Sequence, residues 1–190
     1  MITRPGIIND ISGIVGLQKT NLFENLSEAA RNNGFVTTAF TEVQITELMS
    51  RQGIFVAEED GGIVGYAMAG AWDFWSQWPI FPHMVSRLGL LTFKGGPIPA
   101  EKSFQYGPVC ISAAHRGTGL FPLLFEEMRR GFSTRYPIGV TFINLINERS
   151  LAAHTRKLGM SLVDKFDFSG RSYYGLAFDT SASVINKETR

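Results

Sequence analysis

The sequence predicts an α+β fold in which helices flank a central mixed sheet. Three observations support this class: helical and extended segments alternate irregularly, two strand pairs are joined by tight turns, and a strand–loop–helix–strand unit lies between those pairs. The chain has 190 residues, and a typical domain holds about 100–200 residues. We therefore expect one domain over residues 1–179, with an aromatic-rich insertion at about 72–100 and a polar tail at 180–190.

The N-terminal part of the chain has the patterns of one short strand and two helices. Ile2–Thr3 has the character of an edge strand, which Pro5 would end. Asp10 can cap a helix whose apolar residues, as far as Leu17, recur at a spacing of three or four. Thr41–Arg51 shows the same periodicity, so a second helix is predicted there.

Two β-hairpins are predicted, one near the middle of the chain and one near its C-terminus. Residues 54–58 and 63–69 are apolar runs joined by Glu59-Asp60-Gly61-Gly62, a sequence that tolerates the positive φ of a tight turn. Residues 161–168 and 172–178 form the second pair of runs, again around a glycine.

A strand–loop–helix–strand–helix unit is predicted between the hairpins. The first strand is expected at 104–111, the helix after its loop at 119–132, and the second strand at 138–146. The second strand is almost continuously apolar, which is typical of a strand buried on both faces. Asn147 can cap the last helix and Gly159 can end it.

The segment 72–100 combines many aromatic residues with several prolines. One interpretation is a hydrophobic flap that folds onto the core or forms a dimer contact. The other is the wall of a small-molecule pocket, because aromatic residues commonly line such concavities. Both interpretations remain open from the sequence.

Charge and cysteine content exclude several classes of protein. Lys plus Arg is 18 and Asp plus Glu is 17, giving a net charge of +1, which argues against nucleic-acid binding. The single cysteine, Cys110, cannot form an intrachain disulfide. Met1–Asp10 lacks the apolar core of a signal peptide, and no apolar run reaches the roughly 18 residues of a membrane span. We expect a cytoplasmic protein that has no membrane partner and binds no metal.

The most informative segment runs from Ile111 to Leu120, ISAAHRGTGL, where a strand ends, a glycine loop turns and a helix begins. Such a loop directs backbone N–H groups and a helix N-terminus at one place, which suits a phosphate. The segment is not a P-loop, because no Gly-Lys-Ser/Thr follows it. It is not a dinucleotide-binding fingerprint either, because Pro122 stands at the position of the third glycine.

The loop resembles the pyrophosphate signature R/Q-x-x-G-x-G/A of the GNAT superfamily of acyl-CoA-dependent N-acetyltransferases. Arg116 and Gly119 match it, whereas Phe121 stands at its final small position. A second segment resembles a later motif of the family: Asn147 opens a helix after a buried strand, and His154 follows seven residues later. The resemblance implies a mainly antiparallel sheet in which two neighbouring parallel strands, here 104–111 and 138–146, splay apart.

The resemblance also implies where acetyl-CoA would bind. Backbone groups beside the splay would pair with pantetheine, loop amides would hold the pyrophosphate, and the start of the last helix would contribute side chains. The residues so implied are Val109, Cys110, Ile111, His115, Arg116, Gly117, Thr118, Gly119, Leu120, Asn147 and Ser150.

The implied reaction is direct attack of an amine on the acetyl thioester in a ternary complex. His154 occupies a position where the family more often has Tyr, so it is the candidate acid for the departing thiolate, or instead a base. The strand before the loop contains no Glu. The base therefore remains open among Tyr106, Glu101, His83 and a water chain.

The expected acceptor is the primary amine of a small molecule, because the near-neutral charge favours a small acceptor over a nucleic acid; a protein N-terminus or lysine remains open. Trp72, Trp75 and His83 of the insertion are the candidate contacts. A homodimer is expected through the insertion or the final hairpin. The alternative is a non-catalytic acyl-CoA-binding or regulatory domain. The missing Glu and the departure at Phe121 favour that alternative.

Overall fold

The computed structural model describes residues 1–31 and 34–185. Its helices are α1 (Ile11–Asn21), α2 (Glu28–Arg31), α3 (Glu42–Ser50), α4 (Trp72–Trp75), α5 (Ile80–Leu88), α6 (Leu120–Ser133) and α7 (Glu148–Ala152). Its strands are β1 (Ile2–Pro5), β2 (Ile54–Glu59), β3 (Gly62–Gly70), β4 (Thr92–Phe93), β5 (Gly96–Pro97), β6 (Ser103–Ile111), β7 (Ile138–Asn144), β8 (Ser161–Phe168) and β9 (Arg171–Asp179).

Seven strands form one sheet in the order β1-β2-β3-β6-β7-β9-β8, and β4 pairs with β5 in a separate small sheet. Neighbouring strands of the large sheet are antiparallel except for β6 and β7, which are parallel. The predicted α+β class and both hairpins are confirmed. None of the helices within the described ranges has the length and apolar character needed to cross a bilayer.

The sheet separates two hydrophobic cores. The α1-side core lies between the sheet, α1, α3 and the segment 72–100. The α6-side core lies between the sheet and α6. Alternate residues of β3 supply the two cores, with Tyr66 and Met68 on the α1 side and Ala67 and Ala69 on the α6 side.

Pairing between β6 and β7 ends early, and this opens a gap in the middle of the sheet. The two strands pair only at Ser103–Ile138, Phe104–Gly139 and Gln105–Val140. Beyond that point β6 stays with β3 and β7 stays with β9. The predicted splay is therefore confirmed, and Gln105 lies at its vertex.

An extra residue in β6 accompanies the splay. Ala67 pairs with Val109 and Ala69 with Tyr106, so three steps along β6 match two along β3. This bulge at Gly107-Pro108 reverses the alternation of side chains. Tyr106 and Val109 consequently both pack in the α6-side core, although they are an odd number of residues apart.

The segment 72–100 packs mainly as part of the α1-side core. Trp75 is fully buried, and its ring contacts those of Phe40, Phe74, Trp78 and Phe81. Its indole N–H donates to the Gly70 carbonyl at 3.0 Å. Burial of this ring shows that the flap interpretation describes most of the segment.

Asp10 does not cap α1 as predicted. Its carboxylate accepts from the N–H of Ile7 and pairs with Arg4 at 2.7 Å, and Arg4 also bonds Glu58. The Arg4 guanidinium and the Ile7 N–H lower the pKa of Asp10. The carboxylate therefore joins β1, β2 and the turn that precedes α1.

The predicted polar tail is anchored to the fold within residues 180–185; residues 186–190 lie outside the described part. Thr180 is buried, and its hydroxyl donates to the Tyr136 carbonyl at 2.6 Å. Glu126 on α6 is buried, where it pairs with Arg129 and accepts from the Val184 N–H. A buried carboxylate thus anchors this part of the tail.

We predict that Gly53→Ala destabilises the fold. A Cβ at this position would lie 2.1 Å from the Ala69 carbonyl oxygen, which belongs to the sheet backbone. We expect a loss of about 2 kcal/mol or more in the free energy of unfolding, measured with urea. Gly16→Ala is the control, because its Cβ would meet nothing within 4 Å and alanine favours the helix. Equal effects of the two variants would contradict the prediction.

Candidate active site

Two adjoining cavities form one cleft along the splay. The loop cavity lies against the glycine loop and α7, and the split cavity lies between β6 and β7. The residues that line both cavities are Phe35, Val36, Val109, Asn147, Ser150 and His154. The sequence motifs in 109–121 and 147–160 therefore meet at one site.

The glycine loop has the conformation that the motif requires. Gly117 has φ +85° and Gly119 has φ +89°, and Gly119 immediately precedes α6. Among the described residues, no backbone carbonyl accepts a turn or loop hydrogen bond from the N–H of either glycine. Both glycines line the loop cavity. Free N–H groups at the start of a long helix suit an anion.

The loop cavity is electropositive. Arg116, Arg149 and Lys157 line it, whereas none of its described lining residues is Asp or Glu. Arg116 is held in place, because its Nε donates to the Ile111 carbonyl at 3.0 Å and an Nη donates to the Asn21 side chain. In a chain with a net charge of +1, this concentration of cations is local.

The side chain of His115 makes structural contacts at the rim of this cavity. Its Nδ1 lies 2.6 Å from the Ser112 hydroxyl, and its Nε2 lies 2.7 Å from a Glu59 carboxylate oxygen. The bond from His115 lowers the pKa of Glu59. The ring thereby ties the glycine loop to the β2–β3 turn.

Asn147 and His154 lie where the second motif places them, on α7 and on the π-helical turn that continues it over Ala153–Lys157. The Asn147 side chain accepts from the Ser150 N–H at 3.2 Å, so the predicted cap is confirmed. His154 is 7% exposed. Its ring contacts Phe121 at 5.0 Å between ring centroids, so the departure at Phe121 supplies part of the histidine's apolar surroundings.

Burial and a backbone bond determine the protonation of His154. Desolvation lowers the pKa of His154 from 6.5 to about 4, so the imidazole is neutral at neutral pH. Nδ1 lies 2.7 Å from the Ser150 carbonyl oxygen, which can only accept, so Nδ1 carries the proton. The lone pair therefore lies on Nε2, where the ring can accept a proton. At neutral pH the ring has no imidazolium proton to donate.

The other predicted catalytic and thiol groups lie differently. Tyr106 is fully buried in the α6-side core, lines neither cavity, and burial raises its pKa well above 10.0. Burial also raises the pKa of the Cys110 thiol to about 12, which makes it a poor nucleophile. Glu101 lies before β6 at its paired end and lines neither cavity, and its role as a base stays a prediction.

The acceptor contacts expected in the insertion stay predictions, and their side chains make other contacts. Trp72 donates to the Ser103 hydroxyl, Trp75 is in the core, and the tilted ring of His83 contacts those of Phe166 and Phe168. None of the three lines a cavity of the cleft. The insertion contributes Phe81 instead, whose ring lies in the wall of the split cavity.

Sequence reasoning missed several lining residues for which a signal existed. Gln105 is a polar residue inside an otherwise apolar strand start, and it lines the split cavity. Arg149 and Lys157 flank His154 on the helix that Asn147 caps, and both line the loop cavity. Phe40 and Tyr173 gave no comparable signal, because their position depends on how distant segments pack.

We predict that His154→Phe removes a pH dependence of stability. Between pH 4 and 6.5 the unfolded chain binds a proton that the folded chain does not, so wild-type stability falls as pH falls through this window. From pH 6.5 to about 4.5 the wild type should lose about 2–3 kcal/mol more than the variant in urea unfolding. Parallel pH profiles for the two proteins would show that His154 is not shifted.

No protein-family model and no curated protein matches the sequence. Solved structures do match. yncA from Salmonella typhimurium, solved with its cofactor acetyl-CoA, is 15% identical with a TM-score of 0.64, over 96% of this chain and 95% of that one. A GNAT-superfamily phosphinothricin acetyltransferase from Sinorhizobium meliloti, in complex with acetyl-CoA, is 15% identical with a TM-score of 0.62. The match covers 94% of this chain and 87% of that one.

A ribosomal-protein-alanine N-acetyltransferase from Brucella melitensis is similar to the same degree. It is 16% identical with a TM-score of 0.61, over 94% of this chain and 99% of that one. At such identities the likeness concerns the course of the backbone. The seven-stranded sheet, the single parallel pair and the splay agree with it. The chain therefore has the fold of the GNAT acetyltransferases, as its two motifs predicted.

Proposed function

We propose that this protein is an acetyl-CoA-dependent N-acetyltransferase that acts on a primary amine of a small molecule. The observation that carries the proposal is the continuity of the cleft. The splay between β6 and β7 runs into the glycine loop with its local positive charge, and His154 lines both cavities where they adjoin. The likeness to acetyltransferases solved with acetyl-CoA adds support.

The residues of the cleft fit coenzyme A as a ligand. The glycine-loop N–H groups and the cations Arg149 and Lys157 would hold its phosphates. Backbone groups of β6 at Val109 and Ile111 lie at the wall of the cleft, where pantetheine would pair with them. Asn147 and Ser150 line both cavities and remain candidates for the same arm.

When bound, acetyl-CoA supplies an activated acetyl thioester, and the chain must handle the proton of the attacking amine. We assign proton acceptance to Nε2 of His154, because the ring is neutral and its Nδ1–H is already donated to the Ser150 carbonyl. This choice replaces the acid role, which would need an imidazolium at the pH of the reaction. The N–H groups near Val109 and Cys110 remain the candidates for stabilising the oxyanion.

One observation favours the alternative of a non-catalytic acyl-CoA-binding domain. No carboxylate is present among the described residues that line either cavity, so the cleft offers no Asp or Glu side chain as a general base. A thiol-release assay over a panel of amines, with product mass spectrometry, separates the two. Amine-dependent acetylation supports the enzyme, and acetyl-CoA binding without turnover on any amine supports the alternative.

We predict that Lys157→Gln weakens acetyl-CoA binding. The variant loses one of the cations that line the loop cavity, so the dissociation constant should rise about fivefold at low ionic strength. The difference should shrink as salt is added. Lys165→Gln on β8 is the matched control, because Lys165 is exposed and lines neither cavity. Identical calorimetric titrations for the two variants would remove Lys157 from the binding site.

We also predict that His154→Phe impairs turnover more than binding. Loss of the proton acceptor should lower kcat by about a hundredfold, the scale of general-base catalysis. The affinity for acetyl-CoA, measured by calorimetry, should change little. An unchanged kcat and pH profile at saturating acetyl-CoA would overturn the assignment of His154 as the base.

A further inference from the structure

We propose that the acceptor is an apolar amine that carries no carboxylate or phosphate, and that Gln105 recognises its amino group. The proposal rests on the acetyltransferase function proposed above and concerns the other substrate. Its basis is a buried hydrogen-bond acceptor that is unsatisfied among the described residues, in a cavity wall whose described residues include no Asp, Glu, Lys or Arg. Nothing in the GNAT motifs assigns a role to Gln105.

Gln105 has one free acceptor, and its orientation is determined. The side chain is 2% exposed and lines the split cavity at the vertex. Its Nε2 donates to the Tyr106 carbonyl at 2.7 Å, and because that carbonyl can only accept, the amide cannot be flipped. Its Oε1 is buried, and no group within residues 1–31 and 34–185 forms a hydrogen bond with it. A buried acceptor left unpaired is costly, so a ligand that donates an N–H to it gains affinity.

Gln105 lies on the face of the sheet from which a second substrate can approach. Its neighbours Phe104 and Tyr106 pack in the α6-side core, so alternation directs Gln105 to the α1 side. The aromatic residues Phe40, Phe81 and Tyr173 of the split cavity belong to the α1-side core. The phosphates would occupy the opposite, loop end of the cleft, which leaves the vertex for the reacting groups.

The wall of the split cavity selects against charge. Its described residues are aliphatic, aromatic or neutral polar, such as Thr37, Thr141 and Asn144, and none is Asp, Glu, Lys or Arg. A carboxylate or phosphate on the acceptor would be desolvated there without a cation to pair with. Three cations do line the adjoining loop cavity, so the two halves of the cleft differ sharply in charge.

The same wall favours the reactive form of an amine. None of the described residues of this wall is a carboxylate that could stabilise an ammonium, so transfer into this cavity lowers the pKa of the amine and favours its neutral form. A neutral amine can donate one N–H to Oε1 of Gln105 and keep its lone pair for attack. When the nitrogen attacks the acetyl carbonyl, an N–C bond forms, the C–S bond breaks and the thiolate of coenzyme A leaves. The proton that the nitrogen loses in this step passes to His154, which lines the same cavity.

The test compares three acceptors that share one aromatic skeleton: phenylethylamine, L-phenylalanine methyl ester and L-phenylalanine. We expect kcat/KM for the first two to exceed that for the free amino acid by about a hundredfold or more, since only the last adds a carboxylate. Binding of each compound to the CoA-loaded protein, followed by saturation-transfer NMR, gives a readout that does not depend on turnover.

The variant for Gln105 is Gln105→Met, which keeps volume and removes the acceptor. KM for phenylethylamine should rise about tenfold, while the dissociation constant of acetyl-CoA and the melting temperature stay near wild type. Gln77→Met is the matched control, because Gln77 is exposed and lines neither cavity. If the free amino acid is the preferred acceptor, or if Gln105→Met weakens acetyl-CoA and leaves KM for the amine unchanged, the inference is overturned.

The two proposals fail in different ways. If phenylethylamine binds selectively without being acetylated, the inference about the ligand stands and the enzymatic function is overturned. If amines are acetylated with the carboxylate-bearing compound preferred, the enzyme stands and the inference is overturned. If none of the three compounds binds the CoA-loaded protein, the inference is overturned as well.

Discussion

The loss of pairing between β6 and β7 after Gln105–Val140 is the constraint on which the site depends. A sheet that remained paired would leave no room between these strands, and a ligand could reach only its edge. The extra residue at Gly107-Pro108 changes which side chains face each core, so that Gln105 lies on one face and Val109 on the other. One irregularity thus gives the cleft two chemically different walls.

Electrostatics then divide the cleft. The cations of the loop cavity lie beside backbone N–H groups and a helix start, whereas the described wall of the split cavity has no formal charge. His154 lies at the boundary, and its burial keeps it neutral. A protein with a net charge of +1 thus presents a locally cationic surface. Under the proposed function, the phosphates of coenzyme A would meet these cations together with main-chain N–H groups.

Local patterns predicted the parts of this structure that depend on neighbouring residues. The hairpin at Glu59-Asp60-Gly61-Gly62, the Asn147 cap and the glycine loop follow from short-range conformational preferences, and all were predicted. The contacts of Asp10 and Trp75 could not be predicted locally, because each depends on a residue far away in the sequence. Asp10 is linked through Arg4 to Glu58, and the ring of Trp75 packs against Phe40. Which aromatic residue reaches the cleft likewise depends on tertiary packing, so the sequence pointed to the insertion without distinguishing Phe81 from Trp72.

Residues within the range 34–40 line both cavities of the cleft. Phe35 and Val36 line both cavities, and the backbone of Phe40 is held by two bonds to the Gln18 side chain on α1. A ligand that packs against Phe35 in one cavity also fixes the position of a residue that lines the other cavity. Under the proposed function the two binding equilibria are thermodynamically linked through this shared wall, and each substrate changes the affinity for the other by the same factor.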